Sequence, residues 1–257
     1  MLITVAGGRA GAAQAAARGE VAIIVDALRA SATTASLLHF GVREIIVVED
    51  LEEAFGEKLK WPDSLLAGER GGLKVEGFDL GNSPLQAPRP GLTETLIFSS
   101  SNMSRCCVGA SACPAAYLGT LVTLTAAATL ALQAAHDFGR ELTLVPAGSV
   151  LDECKLALED YVAAGALIEK LRDLSGGEVV AQGDAARAAQ DIFAAAKQRG
   201  LEETFLTTDN GLCLSRELGL EEDVRFASRV DVFTTVPKVT GTYALDNGER
   251  AAVLTAG

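Results

Sequence analysis

A chain of 257 residues, 49% apolar but only 5% aromatic, is long enough to bury a large core and too apolar to be disordered. Its 34 acidic against 22 basic residues leave a net charge of −12. Such a surface repels nucleic acid and anionic membranes, so an anionic ligand needs a local arginine or a cation. Five cysteines without a Cys-x-x-Cys spacing give no disulfide framework. No leader-like segment and no apolar run of ~20 residues is visible. The expectation is a cytoplasmic protein with neither nucleic-acid nor membrane partners.

Strand and helix patterns alternate along most of the chain. "VAIIV" reads as a buried strand, 31–40 as a helix with Ser31 as N-cap and Gly41 as terminator, and "REIIVVED" as the next strand. "LEEAFGEKLK" reads as a helix, after which "AGERGGLKVEGFDLGNSPLQAPRPG" carries so many Gly and Pro that most of it reads as loop. A connection of that length more often serves a site than a scaffold. Then follow a strand in "TETLIFSS", a turn and helix through "NMSRCCVGASACPAA", a strand in "LGTLVTLT", a helix in "AAATLALQAAHDFG" and a strand in "RELTLVPAG". "VLDECKLALEDYVAAGALIEKL" reads as a long helix, 184–199 as another and "LSRELG" as a short one; "DVRFASRVD" and "KVTGTYALDNG" read as terminal strands. This order predicts one three-layer α/β/α body over 1–257 with a largely parallel or mixed sheet, leaving room for two similar halves; two separate domains are the alternative.

In an open parallel sheet, ligands bind beyond the carboxyl ends of the strands. Asp26 stands there, directly behind "VAIIV", with Arg29 three residues on. Asp26 is suited to hold Mg²⁺ or to act on a phosphoryl group as base or nucleophile, and Arg29 to grip oxyanions through its planar fork. A simple Asp26–Arg29 turn salt bridge is the bland alternative, and the local pattern leaves both open. Thr33 and Thr34 fit either a substrate contact or bonds to the preceding helical turn. In the Gly-rich loop, Glu69 and Asp79 offer further oxygen ligands, while Asn82 and Ser83 offer neutral polar groups. Glu159 and Asp160 interrupt an apolar helix, so at least one approaches packed surface and calls for a metal, an arginine or a proton. His39 and His136 lack ligand-spaced neighbours, Cys106-Cys107 reads as packing, and Asp209-Asn210-Gly211 reads as a turn.

Taken in order, "VDALRASATT", "GERGG", "GFDLGNSP" and "PAGSVLDECKLALEDYVAAGALI" resemble the 2-phosphosulfolactate phosphatase family, best known from coenzyme M biosynthesis, and "DVRFASRVDVFTTVP" is similar to its terminal pattern. The resemblance implies an α/β/α, Mg²⁺-dependent phosphomonoester hydrolase acting on a small sulfonated, phosphorylated hydroxyacid. Asp26, Arg29, Thr33, Thr34, Glu69, Asp79, Asn82, Ser83, Gly148, Glu159 and Asp160 fall on matching motif positions. The chain departs from the pattern at Ser100-Ser101-Asn102-Met103-Ser104, where the family carries Thr-Asn-Gly-Thr; Asn102 retains an amide for substrate contact. It departs again at Thr123–Ala127, where the family tends to have an asparagine.

The resulting expectation is Mg²⁺ held by Asp26, Glu69, Asp79, Glu159 and Asp160. A small phosphorylated acidic substrate is contacted by Arg29, Thr33, Thr34, Asn82, Ser83, Asn102 and Gly148. The Asp-x-Asp of common aspartyl-phosphate hydrolases is absent because residue 28 is Leu, which favours Asp26 as ligand or base. The very apolar helices make room for a homodimer. A noncatalytic protein that binds a small anionic metabolite is the competing class.

Overall fold

The computed structural model describes residues 1–86, 93–148 and 156–257. In chain order it contains β1 (Leu2–Val5), α1 (Gly8–Arg18), β2 (Val21–Val25), α2 (Ala30–His39), β3 (Glu44–Val48), α3 (Leu51–Lys60), β4 (Leu65–Arg70), β5 (Leu73–Lys74) and β6 (Thr95–Ser99). Then follow α4 (Met103–Gly109), β7 (Ala116–Leu118), α5 (Leu124–Phe138), β8 (Leu142–Pro146), α6 (Leu158–Leu174) and β9 (Val180–Ala181). The remainder comprises α7 (Asp184–Arg199), α8 (Leu201–Thr207), α9 (Asp209–Leu212), α10 (Glu221–Ala227), β10 (Pro237–Ala244) and β11 (Arg250–Ala256). The architecture is three-layer α/β/α around a mixed sheet ordered β5-β4-β6-β3-β11-β10-β7-β2-β8-β1-β9.

Two parallel blocks make up this sheet. β4, β6 and β3 form one; β7, β2, β8, β1 and β9 form the other. The antiparallel β10–β11 hairpin joins them, pairing β3 on one side and β7 on the other. Both contacts are antiparallel, so the two blocks run in opposite senses. Adjacent strands rotate by about 20–25°. Over the four steps from β3 to β2 that accumulates to roughly 80–100°, and residues at the carboxyl ends of β2, β3, β4 and β6 line one cavity.

β2 is buried on both faces, as its five consecutive apolar residues require. Val21, Ile23 and Val25 pack with α5 and α6, while Ala22 and Ile24 pack with α1, α2 and α4. Each fully buried Val or Ile contributes about 1.5–3 kcal/mol, so this strand is a rigid support for the residue that follows it. Among the described residues, no helix is long and apolar enough to cross a membrane.

Several elements differ from the sequence expectation. α2 begins at Ala30, and Ser31 lies inside it, its Oγ accepting the Asp26 N–H at 3.1 Å. Part of the Gly-rich stretch is strand: its first four residues, from buried Ala67 to Arg70, belong to β4, which pairs with β6. Gly68 permits that pairing, because a Cβ there would stand 2.0 Å from the Ser99 carbonyl oxygen and its φ is +143°. The strand placed in "LGTLVTLT" begins earlier, at Ala116, and Leu121–Thr123 is a 3-10 turn. "DVRFASRVD" opens with helix α10: three acids in its first turn suit the helix dipole, and Val224 and Ala227 pack into the core. Asp209-Asn210-Gly211 opens helix α9, and "LSRELG" falls largely in a π-helical turn, Cys213–Glu217. The first part of the long helix read from Val150 lies outside the described residues; α6 starts at Leu158.

Candidate active site

The residues that follow β2, β3 and β6, together with the end of β4, line one cavity of about 460 Å³. β2 contributes Asp26 and the Leu28-Arg29 loop, β3 Glu49 and Asp50, β4 Glu69 and Arg70, and β6 Ser101 and Asn102. Arg105 of α4, Asn82, Asn210 of α9 and the Cys213–Leu218 region complete the wall. The convergence of the two sheet blocks thus supplies a charged pocket from residues scattered over most of the chain.

Asp26 is buried at its floor. Its Oδ1 accepts the Ala30 N–H at 3.1 Å, and the Met103 amide also bonds it. Burial dominates nonetheless, and with the charges of Glu69 and Glu159 it pushes the Asp26 carboxyl up to about 7. Arg29 does not pair with Asp26. Its Nη1 donates to Asp223 Oδ2 at 2.6 Å and its Nη2 to the Gly72 carbonyl oxygen at 2.5 Å. The remaining Asp223 oxygen, Oδ1, accepts from Ser83 Oγ at 2.7 Å. Glu69 accepts the Gly72 and Ser101 amides, both at 2.9 Å, which fixes its carboxylate against the loop after β6. Asn82 is buried in the lining, and its Oδ1 has no hydrogen-bond partner among the described residues.

The other acids expected from sequence serve elsewhere. Both Asp160 oxygens accept backbone amides, from Ala27 at 2.8 Å and Gly148 at 3.0 Å, so this carboxyl ties the loop after β2 to the one after β8. Burial, then Glu159 and Asp26, raise its pKa well above the ordinary value. Glu159 accepts from Asn210 Nδ2 at 2.5 Å and lines a separate cavity of about 280 Å³ with Thr208 and Asp209. Burial raises it too, against the hydrogen bonds from Asn210 and Thr208. Asp79 is exposed and accepts the Leu66 N–H at 2.8 Å, which anchors β4. Among the described residues, no three His, Cys, Asp or Glu side chains gather as a metal-holding group. Of the five acids expected as ligands, Asp26 and Glu69 line the cavity, Asp160 and Glu159 bond the Ala27 and Gly148 amides and Asn210, and exposed Asp79 anchors β4.

Thr34 bonds the Ala30 and Ser31 carbonyls, and Thr33, buried with an unpartnered Oγ1, is likewise absent from the cavity wall. Ser83 reaches the site only through Asp223, and Gly148 only through Asp160. Asn102 lines the cavity at the N-cap of α4. Sequence reasoning missed Glu49, Asp50, Arg70, Arg105, Asn210 and Asp223. The rule that singled out Asp26, a polar residue directly behind a buried strand, applies equally to Glu49 and Asp50 behind "EIIVV".

Residues 10–242 match the family model described as 2-phosphosulpholactate phosphatase. Proteins named "Probable 2-phosphosulfolactate phosphatase" are similar over most of the chain. The one from Carboxydothermus hydrogenoformans is 33% identical over 86% of this chain and 87% of its own length. Those from Deinococcus radiodurans and a Synechococcus are 32% and 34% identical, each over 85% of this chain and over 87% and 88% of their own lengths.

Proposed function

Because the chain belongs to the 2-phosphosulfolactate phosphatase family, a family of phosphatase-type hydrolases, we propose that it hydrolyses a small phosphomonoester bearing a further acid group, with the help of Mg²⁺. The substrate is 2-phosphosulfolactate or a related phosphorylated hydroxyacid. The observation that carries this reading is the composition of the cavity floor. There burial and the nearby Glu69 charge make Asp26 costly to ionise, and the Asn82 amide oxygen is buried without a donor among the described residues.

Those groups fit a hard dication. Mg²⁺ is commonly held by one or two carboxylates, with water and phosphate oxygens completing its octahedron, so a cluster of three carboxylates is not required. Asp26, Glu69 and Asn82 Oδ1 are the oxygens that would hold it. When bound, the ion supplies neutralisation of phosphoryl charge and polarisation of the phosphorus centre.

The protein's own groups do the rest. Among the described residues two of the five Arg29 N–H donors are engaged, by Asp223 and Gly72, which leaves the others for nonbridging phosphate oxygens. The buried ion pair fixes that guanidinium before substrate arrives, so orientation is not lost at the moment of reaction. Leu28, Leu214 and Leu218 give the pocket an apolar side that limits bulk water. Hydrolysis joins a water oxygen to phosphorus and breaks the phosphorus–oxygen ester bond, and the released hydroxyacid takes up one of the water protons.

A phosphate-release assay over phosphorylated hydroxyacids, with Mg²⁺ and with EDTA, tests the reading. Release that needs Mg²⁺ supports it; absence of release from every substrate at saturating Mg²⁺ overturns it.

A further inference from the structure

We propose that Arg70 and Arg105 form a second anion subsite at the rim of the cavity, one that takes the substrate's carboxylate or sulfonate and so selects phosphorylated acids over other phosphomonoesters. This rests on the hydrolase reading above and names the residues that set its substrate class.

Arg70, the last residue of β4, is held in place by neutral acceptors only. Its Nη1 donates to the Glu69 carbonyl at 2.7 Å; its Nη2 donates to the Glu49 carbonyl and to Ser99 Oγ, both at 2.8 Å. Among the described residues no carboxylate lies within ion-pair distance of it, so neutral acceptors fix its orientation while the Glu69 and Asp50 charges act on it only from farther off. Arg105 lines the same cavity and makes a long ion pair with Glu49, 3.9 Å from its Nε. Glu49 is already paired with Arg9 at 3.0 Å. The other rim acid, Asp50, belongs to the capping box that opens α3.

Two guanidinium groups therefore face one cavity in a protein whose net charge is −12. They repel each other: burial lowers the Arg70 pKa, the Glu69 and Asp50 charges act against that, and the Arg105 charge lowers it further. An oxyanion between them removes that repulsion, and the planar fork of arginine matches carboxylate and sulfonate oxygens. A cavity of about 460 Å³ has room for more than a phosphate group. Arg29, by contrast, is almost fully buried and locked by Asp223, which assigns it to the deep end of the cavity. The pocket thus has two cationic ends suited to a compact molecule with two acidic groups.

The test measures kcat and KM for phospholactate, for 2-phosphosulfolactate and for p-nitrophenyl phosphate, which lacks a second acid, in the wild type, R70K, R70Q and R105Q. R105Q guards against a folding defect, because the Arg105 side chain is 42% exposed. The expected result is a wild-type preference for the two phosphorylated acids. In R105Q and R70Q the ratio of kcat/KM between acid and p-nitrophenyl phosphate falls about 10- to 100-fold, the scale of one charge-assisted hydrogen bond, chiefly through KM. R70K recovers part of it. A larger effect on 2-phosphosulfolactate than on phospholactate identifies sulfonate as the group bound, and an equal effect identifies carboxylate. A ratio unchanged in R105Q, or a wild type that hydrolyses p-nitrophenyl phosphate equally well, overturns the subsite and leaves the hydrolase reading standing. A wild type that turns over none of the three overturns both.

Discussion

Arg29 and Asp223 stand 194 residues apart in the chain and meet at 2.6 Å, both almost fully buried. Through Ser83 and the Gly72 carbonyl, the same pair holds the Gly-rich loop against α2 and α10. A guanidinium fixed in this way is preorganised for an oxyanion, and its partner is the last long-range element needed to build the site.

Removing one member of the pair leaves the other charged and buried, which typically costs about 3–5 kcal/mol. Asp223→Asn should therefore lower the urea midpoint markedly and reduce phosphate release together with it. The double variant R29M/D223L should recover most of the stability, because an apolar pair of similar volume is often neutral, yet stay inactive. Urea unfolding followed by circular dichroism, beside the phosphate assay, reads both effects; activity in R29M/D223L would remove Arg29 from the site.

The Asp26 carboxyl titrates near 7 in the folded, metal-free chain and near 3.8 when unfolded. Between those values the folded state keeps a proton that the unfolded state has lost, so stability falls as pH rises from about 4 to about 7 and then levels. In EDTA, Asp26→Asn should flatten this decline and raise the melting temperature at pH 8 more than at pH 5. The gain is about 2–4 °C for each kcal/mol recovered in a chain of this size. Equal gains at both pH values would show that Asp26 is not the group responsible.

Asn82 presents a buried oxygen that no donor among the described residues satisfies. Asn82→Ala should leave thermal stability nearly unchanged and raise the Mg²⁺ concentration at half-maximal activity by at least the roughly tenfold that even an outer-shell partner costs. Titration of phosphate release with Mg²⁺ measures it, and an unchanged midpoint would exclude the amide from the cation site.

Gly68 lets β4 lie against β6 and so sets Glu69 and Arg70 at the cavity. Gly68→Ala should destabilise by about 1–3 kcal/mol or more, because the clash at 2.0 Å is with backbone rather than a movable side chain. A wild-type melting temperature in that variant would mean the strand end is free to shift.

Much of the sheet was legible because Val21–Val25, Glu44–Val48 and Leu142–Pro146 are short apolar runs bounded by polar residues. Asp26 followed from the first of these. β4 was not legible: its glycine and charged residues read as loop, and only the close approach to Ser99 makes it strand. Asp223 was hidden for a different reason. Val224 and Phe226 alternate with polar residues as in a strand, whereas their burial serves two different hydrophobic clusters around one helix. Asn210 looked like a turn residue because Asp-Asn-Gly favours turns, and tertiary packing of α9 against α8 overrides that preference. The direction of Glu159 and Asp160 depended on contacts with Asn210, Ala27 and Gly148, which no periodicity encodes.

The account turns on a dication bound at Asp26 beside a phosphorylated acid. Isothermal titration of the metal-free protein with MgCl₂ at pH 8, for the wild type and Asp26→Asn, paired with phosphate release from 2-phosphosulfolactate in the same buffer, tests this most directly. The expected result is saturable Mg²⁺ binding and Mg²⁺-dependent release in the wild type, with both abolished in Asp26→Asn. Equal binding and equal release in the two proteins would contradict it.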